Sequence, residues 1–300
     1  EIWLGGGHYK WRLLRANGVD EGWITGDAPP REKFQAWADC VPKTLRNPIH
    51  HWTHMELRRY FGIDCLLGPD TADEVWSRAN EALRGPEFST RGILRKFDVR
   101  MVGTTDDPAD PLDYHEAIRT SGFSTKVLPT FRPDKAFQVD DPKSLNAWLG
   151  KLEAASGLSI THLSDLLAAL QKRHDDFAAV GARMSDHGLD RLPMIECSDE
   201  EARMIFDKAR SGKAATPEEK EEFTFYLMLF LGQLDAAKGW TKQLHIGAAR
   251  NVNSRMHAAL GPDAGFDIIS DTPQGRGLIC YLDALARRDS LPGIILYNLN

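Results

Sequence analysis

Only four cysteines occur in the 300 residues, Cys40, Cys65, Cys197 and Cys280, and no two form a C-x-x-C pair. That spacing gives neither a disulfide framework nor a zinc knuckle, and it fits reduced, mostly buried thiols of a cytoplasmic protein. Apolar runs are short, and none approaches the ~20 residues that a membrane-spanning helix needs. No secretory signal peptide is visible. Basic residues are not in surplus, since 37 Lys and Arg stand against 43 Asp and Glu for a formal net charge of -6. This argues against nucleic acid or an anionic membrane as partner, because both require a concentrated basic face. The glycine-rich phosphate loops G-x-G-x-x-G and Walker A are missing too. There is no low-complexity tract and no internal repeat beyond the alternation described next.

What is there is an ordinary globular composition, 42% hydrophobic and 27% charged, at a length that can bury a large core in one α/β domain or two smaller ones. Strand-like runs occur at Val99–Thr105, Thr125–Thr130, Ala182–Ser185, Thr241–Ile246 and Ile294–Asn298. Helices with readable boundaries lie between them. Thr216-Pro217-Glu218-Glu219 is a capping box with proline at the first helical position, and Gly239 closes that helix. Ser198 with Glu201 opens another, and Gly181 closes a stretch that begins near Ser159. Asp110-Pro111 and Asp141-Pro142 are two further N-cap and proline starts. Strand, helix and strand in succession imply parallel strands with right-handed crossovers. A (β/α)8 barrel fits this rhythm, with an open doubly wound sheet as the competitor.

Residues 1–95 break the rhythm and read as a segment leading into the barrel plus a helical insertion, while 96–300 hold the central βα units. The insertion has helices near Arg31–Asp39 and Thr71–Leu83, the second with Thr71 and Glu74 as a capping box. The chain opens on Glu1 and its last strand-like run stops at Asn300, so it is expected to be cropped at both ends.

In α/β barrels the chemistry sits where the strands stop, and several strand ends here turn polar. GGGHYKWR puts His8 and Tyr9 after a glycine triplet, either as a pocket wall or as a loop entering a helix. MVGTTDDPADP ends in Asp106 and Asp107, which suit metal or sugar hydroxyls, and equally suit turns. KVLPTFRPDKAF holds Arg132 in a proline-stiffened loop, fit for a carboxylate or phosphate or for a structural pair with Asp134. RMSDHGLD sets Asp186 beside His187, acid–base equipment, metal ligands or structure. HHWTHMELRRYFG groups His50, His51 and His54, yet it lacks the glutamate of H-E-x-x-H and reads as structural or subunit-contacting. WTKQLHIGAARNVNSR ends a strand in His245, with Arg250 and Asn253 beyond it.

Taken in order, IWLGGGHYKWR, HHWTHMELRRYFGI, MVGTTDDPADPL, KVLPTFRPDKAF, SDHGLD, KQLHIGAARNVNSRM, LGPDAGFDIISD and LPGIILYNLN resemble the uronate isomerases of the amidohydrolase superfamily. The resemblance implies a distorted (β/α)8 barrel, one divalent metal, usually zinc, and interconversion of D-glucuronate with D-fructuronate and of D-galacturonate with D-tagaturonate. It implies a cytoplasmic enzyme of carbohydrate metabolism that acts on a small uronate sugar and assembles as a homo-oligomer. His8 and Tyr9 match the family's His-Tyr pair, Arg132 its substrate-binding arginine, Asp186 the aspartate of Ser-Asp-His, and His245 the histidine of His-Ile-Gly. His8, Tyr9, Asp186 and His245 are thus the expected catalytic residues, with Arg132, His8 and Tyr9 binding substrate. The family's metal-binding His-x-His and its last-strand aspartate have no counterpart here, so the principal metal ligands are expected outside these residues. Gly7 replaces an aspartate common before the His-Tyr pair, which puts the orientation of His8 in doubt. Val252 interrupts an asparagine run, and Gly293-Ile294 replaces a Lys-Thr pair. A metal-dependent hydrolase on the same barrel and an inactive sugar-acid-binding protein are the alternative readings.

Overall fold

A computed structural model describes residues 4–299, which divide into two compact units. One consists of the stretch up to Val99 together with Arg250–Ile268, and the other of Arg100–Ala249 together with the stretch from Ile269.

The first unit is helical: α1 (His8–Ala16), α2 (Pro30–Cys40), α3 (Pro48–Phe61), α4 (Ala72–Leu83) and α5 (Thr90–Lys96). Leu14, Trp37, Val41, Leu57, Ile63 and Val75 form its core. The histidine-rich segment is α3, capped by Asn47, and His50 and His54 bond to the backbone. His50 Nδ1 lies 3.0 Å from the Val41 carbonyl, and His54 Nε2 accepts from the Leu67 amide at 3.0 Å. The expected Thr71–Glu74 capping box does not form. The Thr71 hydroxyl instead donates to the Leu66 carbonyl at 2.7 Å and accepts from the Gly68 amide, while Glu74 pairs with Arg78. A preceding turn of 3-10 helix has drawn the hydroxyl backwards.

The second unit carries the sheet. Strands β1 (Met101–Asp106), β2 (Lys126–Phe131), β3 (Met184–Gly188) and β4 (Thr241–Ile246) alternate with α6 (Asp113–Thr120), α7 (Pro142–Ser156), α8 (Leu163–Val180), α9 (Asp199–Arg210) and α10 (Pro217–Lys238). The chain then passes through α11 (Ser254–Leu260) of the first unit before α12 (Gly275–Ala286) and β5 (Gly293–Asn298) complete the second. All four neighbouring pairs are parallel, and their spatial order is their chain order, β1 to β5. A doubly wound sheet reverses its strand order at a switch point. Sequential order without reversal is the wall of an α/β barrel, as the βα rhythm predicts.

The helix signals account for most boundaries. Thr216 and Glu219 cap α10 reciprocally, with Pro217 in its first turn, and Ser198 and Glu201 do the same for α9. Gly239 ends α10 at φ 63°, a left-handed conformation that costs a residue with a Cβ. The middle of α10 is apolar nearly all round, with Phe223, Phe225, Leu227, Met228 and Leu231 buried, because it packs on more than one side. Its neighbours in the core include Phe131, Phe177, Phe206, Leu244 and Tyr281. One start was misplaced: α6 begins at Asp113, and Asp110 Oδ2 accepts from the Asp107 amide instead of capping a helix. All four cysteines are unpaired thiols. Among the described residues no helix is long and apolar enough to cross a membrane.

Candidate active site

The C-terminal ends of β2, β3 and β4 bring Arg132, Asp186 and His245 together. Asp186 is the hub. Its Oδ1 lies 2.7 Å from His245 Nδ1, and its Oδ2 accepts from Arg132 Nη1 at 3.2 Å. The Asp186 side chain is 4% exposed, against 34% for Arg132 and 43% for His245, so a buried carboxylate holds two partly open groups. The hydrogen-bond network assigns the His245 proton to Nδ1, since a carboxylate can only accept. Whenever the ring is neutral, Nε2 is therefore its acceptor. Tyr297 of β5, the register partner of His245, stacks on the imidazole at 4.4 Å and 15° and donates to Gln243 Oε1 at 2.9 Å.

Asp186 and His187 are adjacent in sequence but do not act as a pair. Successive strand residues point to opposite faces, and His187 turns away from Asp186 into the buried side of β3. There Lys242 Nζ donates to His187 Nε2 at 2.8 Å, while His187 Nδ1 lies 2.9 Å from Asp134 Oδ1. An ammonium has no lone pair to offer, so Nε2 accepts and Nδ1 carries the proton toward Asp134. Burial, and then the Lys242 charge, hold the His187 pKa below the usual histidine value, consistent with a neutral ring.

Lys242 is fully buried and spends its three protons on His187, Ser185 Oγ at 3.1 Å and Asp235 Oδ2 at 2.8 Å. Asp235 of α10 also accepts from Ser185 at 2.6 Å and lies 3.0 Å from His174 Nε2. Burial works against its ionisation, but the Lys242 charge and these hydrogen bonds prevail and bring its pKa down to about 2. Asp134 behaves alike. Burial is the largest single influence and pushes its pKa up, yet His187, the Gly188 amide and Arg132 together lower it. Its Oδ2 accepts from Gly188 N at 2.8 Å and from Arg132 Nε at 3.0 Å. Polar contacts therefore run unbroken from Asp235 through Lys242, His187, Asp134 and Arg132 to Asp186 and His245.

His8 and Tyr9 open α1 in the helical unit, behind Gly7 as N-cap, with their rings stacked at 5.0 Å. Tyr9 is 65% exposed and lines a cavity of about 650 Å³ with Arg12, Asn47 and Trp52. The carboxylates at the end of β1 have partners too. Asp106 accepts from Thr104 at 2.7 Å, and Asp107 accepts from Trp148 Nε1 at 2.7 Å and pairs with Lys135 at 3.0 Å. Beyond His245 the polar loop also has partners. Arg250 pairs with Asp267, and Asn253 caps α11 through the Met256 amide.

Zinc takes three or four protein ligands. Among the described residues no group of three His, Cys, Asp or Glu is placed to hold a metal. Asp186 and His245 are two donors, and both Asp186 oxygens are already engaged. These residues do not form a zinc site by themselves.

Asp134 as more than a structural partner, His187 in its buried role, Lys242, Gly188 and Tyr297 are not marked by any motif of the sequence. Two signals were available. Strand alternation separates Asp186 from His187, and a lysine in a strand followed by Leu244 and Ile246 on the same face is a buried charge that needs a partner.

A family model described as glucuronate isomerase matches residues 1–300. The uronate isomerase of Opitutus terrae is 54% identical over 300 residues, all of this chain and 63% of that protein. The uronate isomerase of Solibacter usitatus is 53% identical, over 64% of its length. Among solved structures, a uronate isomerase from Thermotoga maritima superposes with a TM-score of 0.92 at 33% identity, over 99% of this chain and 65% of that one. A glucuronate isomerase from Caulobacter crescentus gives 0.91 at 28% identity, over 99% of this chain and 63% of that one. The chain thus spans just under two thirds of the relatives it matches. It belongs to the glucuronate isomerase family, also named uronate isomerase.

Proposed function

We propose that the protein is an aldose–ketose isomerase that interconverts D-glucuronate with D-fructuronate and D-galacturonate with D-tagaturonate. The observation that carries this reading is the Asp186 hub, which presents a guanidinium and an oriented imidazole side by side at the strand ends. Isomerisation moves a proton between C2 and C1 while the substrate's remote carboxylate must be held. Arg132 supplies a partly exposed, planar donor set for that carboxylate. His245, oriented through Nδ1 by Asp186, keeps an acceptor nitrogen that can bind a hydroxyl or hold its proton.

The roles of His8 in anchoring substrate and of Tyr9 in proton transfer rest on their match to the family's His-Tyr motif. A divalent metal, zinc by preference, belongs to the same reading and would supply polarisation of the carbonyl and hydroxyl oxygens. It would need ligands beyond Asp186 and His245. The reading further holds the enzyme to be cytoplasmic and homo-oligomeric, with a small uronate as its partner and neither nucleic acid nor membrane.

The test is to incubate the full-length protein with D-glucuronate and zinc and to follow ketose by NADH-coupled reduction. Sustained NADH consumption that requires both protein and uronate is expected. Absence of ketose with every divalent metal tried would leave the binding-protein or hydrolase reading.

A further inference from the structure

Arg132 is held by an unusually complete set of neighbours. Its Nε donates to Asp134 Oδ2 at 3.0 Å and its Nη1 to Asp186 Oδ2 at 3.2 Å. Its Nη2 lies over Gly188 so closely that a Cβ built there would stand 2.1 Å from the nitrogen. Asp134 is itself fixed from behind, by the Gly188 amide at 2.8 Å and by His187 Nδ1 at 2.9 Å. The far side of His187 is pinned by buried Lys242. A long, flexible arginine side chain loses its rotamer freedom here to these neighbours, while 34% of it stays exposed.

We propose that Asp134, Gly188 and His187 are the positioning residues of the Arg132 guanidinium: Asp134 sets its tilt, Gly188 leaves the slot for Nη2, and His187 fixes Asp134. The proposal rests on the reading of Arg132 as the carboxylate anchor. It assigns no chemistry to the three residues themselves, and their effect passes through Arg132 alone. Gly188 gives the sharpest handle. The atoms that an added methyl would meet are the far end of the arginine, with the Asp134 carboxylate next at 3.7 Å, so the backbone can stay and the guanidinium must move. A pre-placed donor fork spares the ordering cost of binding, so its loss appears in substrate affinity before turnover.

The experiment measures KM and kcat for D-glucuronate and the thermal midpoint in the full-length enzyme, for Arg132→Met, Asp134→Asn and Gly188→Ala. Asp134→Asn and Gly188→Ala are each expected to raise KM roughly tenfold with kcat changed less than about threefold. Gly188→Ala is expected to keep a near-native thermal midpoint. Combined with Arg132→Met, where no Nη2 remains to be displaced, Gly188→Ala should add nothing to KM. If Arg132→Met raises KM while both other variants leave it unchanged, the positioning proposal is overturned and the anchor role stands. If Arg132→Met itself leaves KM unchanged, the anchor reading fails instead. Should Gly188→Ala not fold, Asp134→Asn decides alone.

Discussion

Lys242 donates to His187 across 2.8 Å with both side chains fully shielded from solvent. This contact joins the site to the helix layer. It assigns the His187 tautomer, and it ties an ammonium to the carboxylate of Asp235, whose side chain is 1% exposed. Such a charge is tolerable in the interior only while every partner is present.

Lys242→Met is therefore expected to destabilise the second unit by about 3–5 kcal/mol, since it leaves Asp235 charged and uncompensated. Urea unfolding measures the loss. Lys242→Met combined with Asp235→Leu should recover a large part of it, because a buried ion pair replaced as a whole costs less than one broken in half. No recovery in the double variant would show that the pair is not the source.

Stability should fall with acid in two windows. His187 has its pKa lowered on folding, first by burial and then by Lys242. The unfolded chain consequently binds a proton below pH 6.5 that the folded one refuses, and stability present above that value is lost as pH falls toward the folded pKa. Asp235 drops from 3.8 to about 2, so its contribution is complete above pH 4 and disappears as pH falls through 2. The slope between pH 7 and 5 is at most about 1.4 kcal/mol per pH unit for one group. His54, also lowered, shares that window. Urea midpoints across pH 7 to 5 should change less steeply in His187→Asn than in the unaltered protein, and an unchanged slope would remove His187 from the account.

Asp186→Asn is expected to cut kcat by about 10²–10⁴, because an amide can donate to His245 and so reverse the tautomer that leaves Nε2 basic. Steady-state kinetics on a variant with native circular dichroism would check this. A kcat within threefold of normal would mean that the Asp186–His245 contact at 2.7 Å is structural only.

The helix caps make a separate, purely structural prediction. Thr216→Ala removes the hydroxyl that accepts from the Glu219 amide, and should cost about 1 kcal/mol with no change in KM or kcat. A thermal melt alongside the isomerase assay separates the two effects.

Local chemistry is what made the fold legible. Thr216 and Glu219, Ser198 and Glu201, Asp141 and Gly239 act within four residues of their own helix ends, so their roles can be read from spacing. Asp110 and Thr71 failed because nearer backbone groups captured them, the Asp107 amide in one case and the Leu66 and Gly68 backbone in the other. Arg132, Asp186 and His245 could be picked out by motif and by their strand-end positions. The supports behind them could not. Lys242 reaches Ser185 and His187 across more than 50 positions, and Asp134 reaches His187 across 53. Such pairings follow from the order and register of the strands, which alternation of apolar residues does not disclose.

Arg132 as the anchor of a sugar carboxylate is the central role in this site. The decisive measurement is KM for D-glucuronate in Arg132→Met of the full-length enzyme. A charge-assisted bidentate contact is worth about 1.5–3 kcal/mol, so KM should rise roughly tenfold to a hundredfold while the protein keeps its fold. An unaltered KM with full turnover would contradict it.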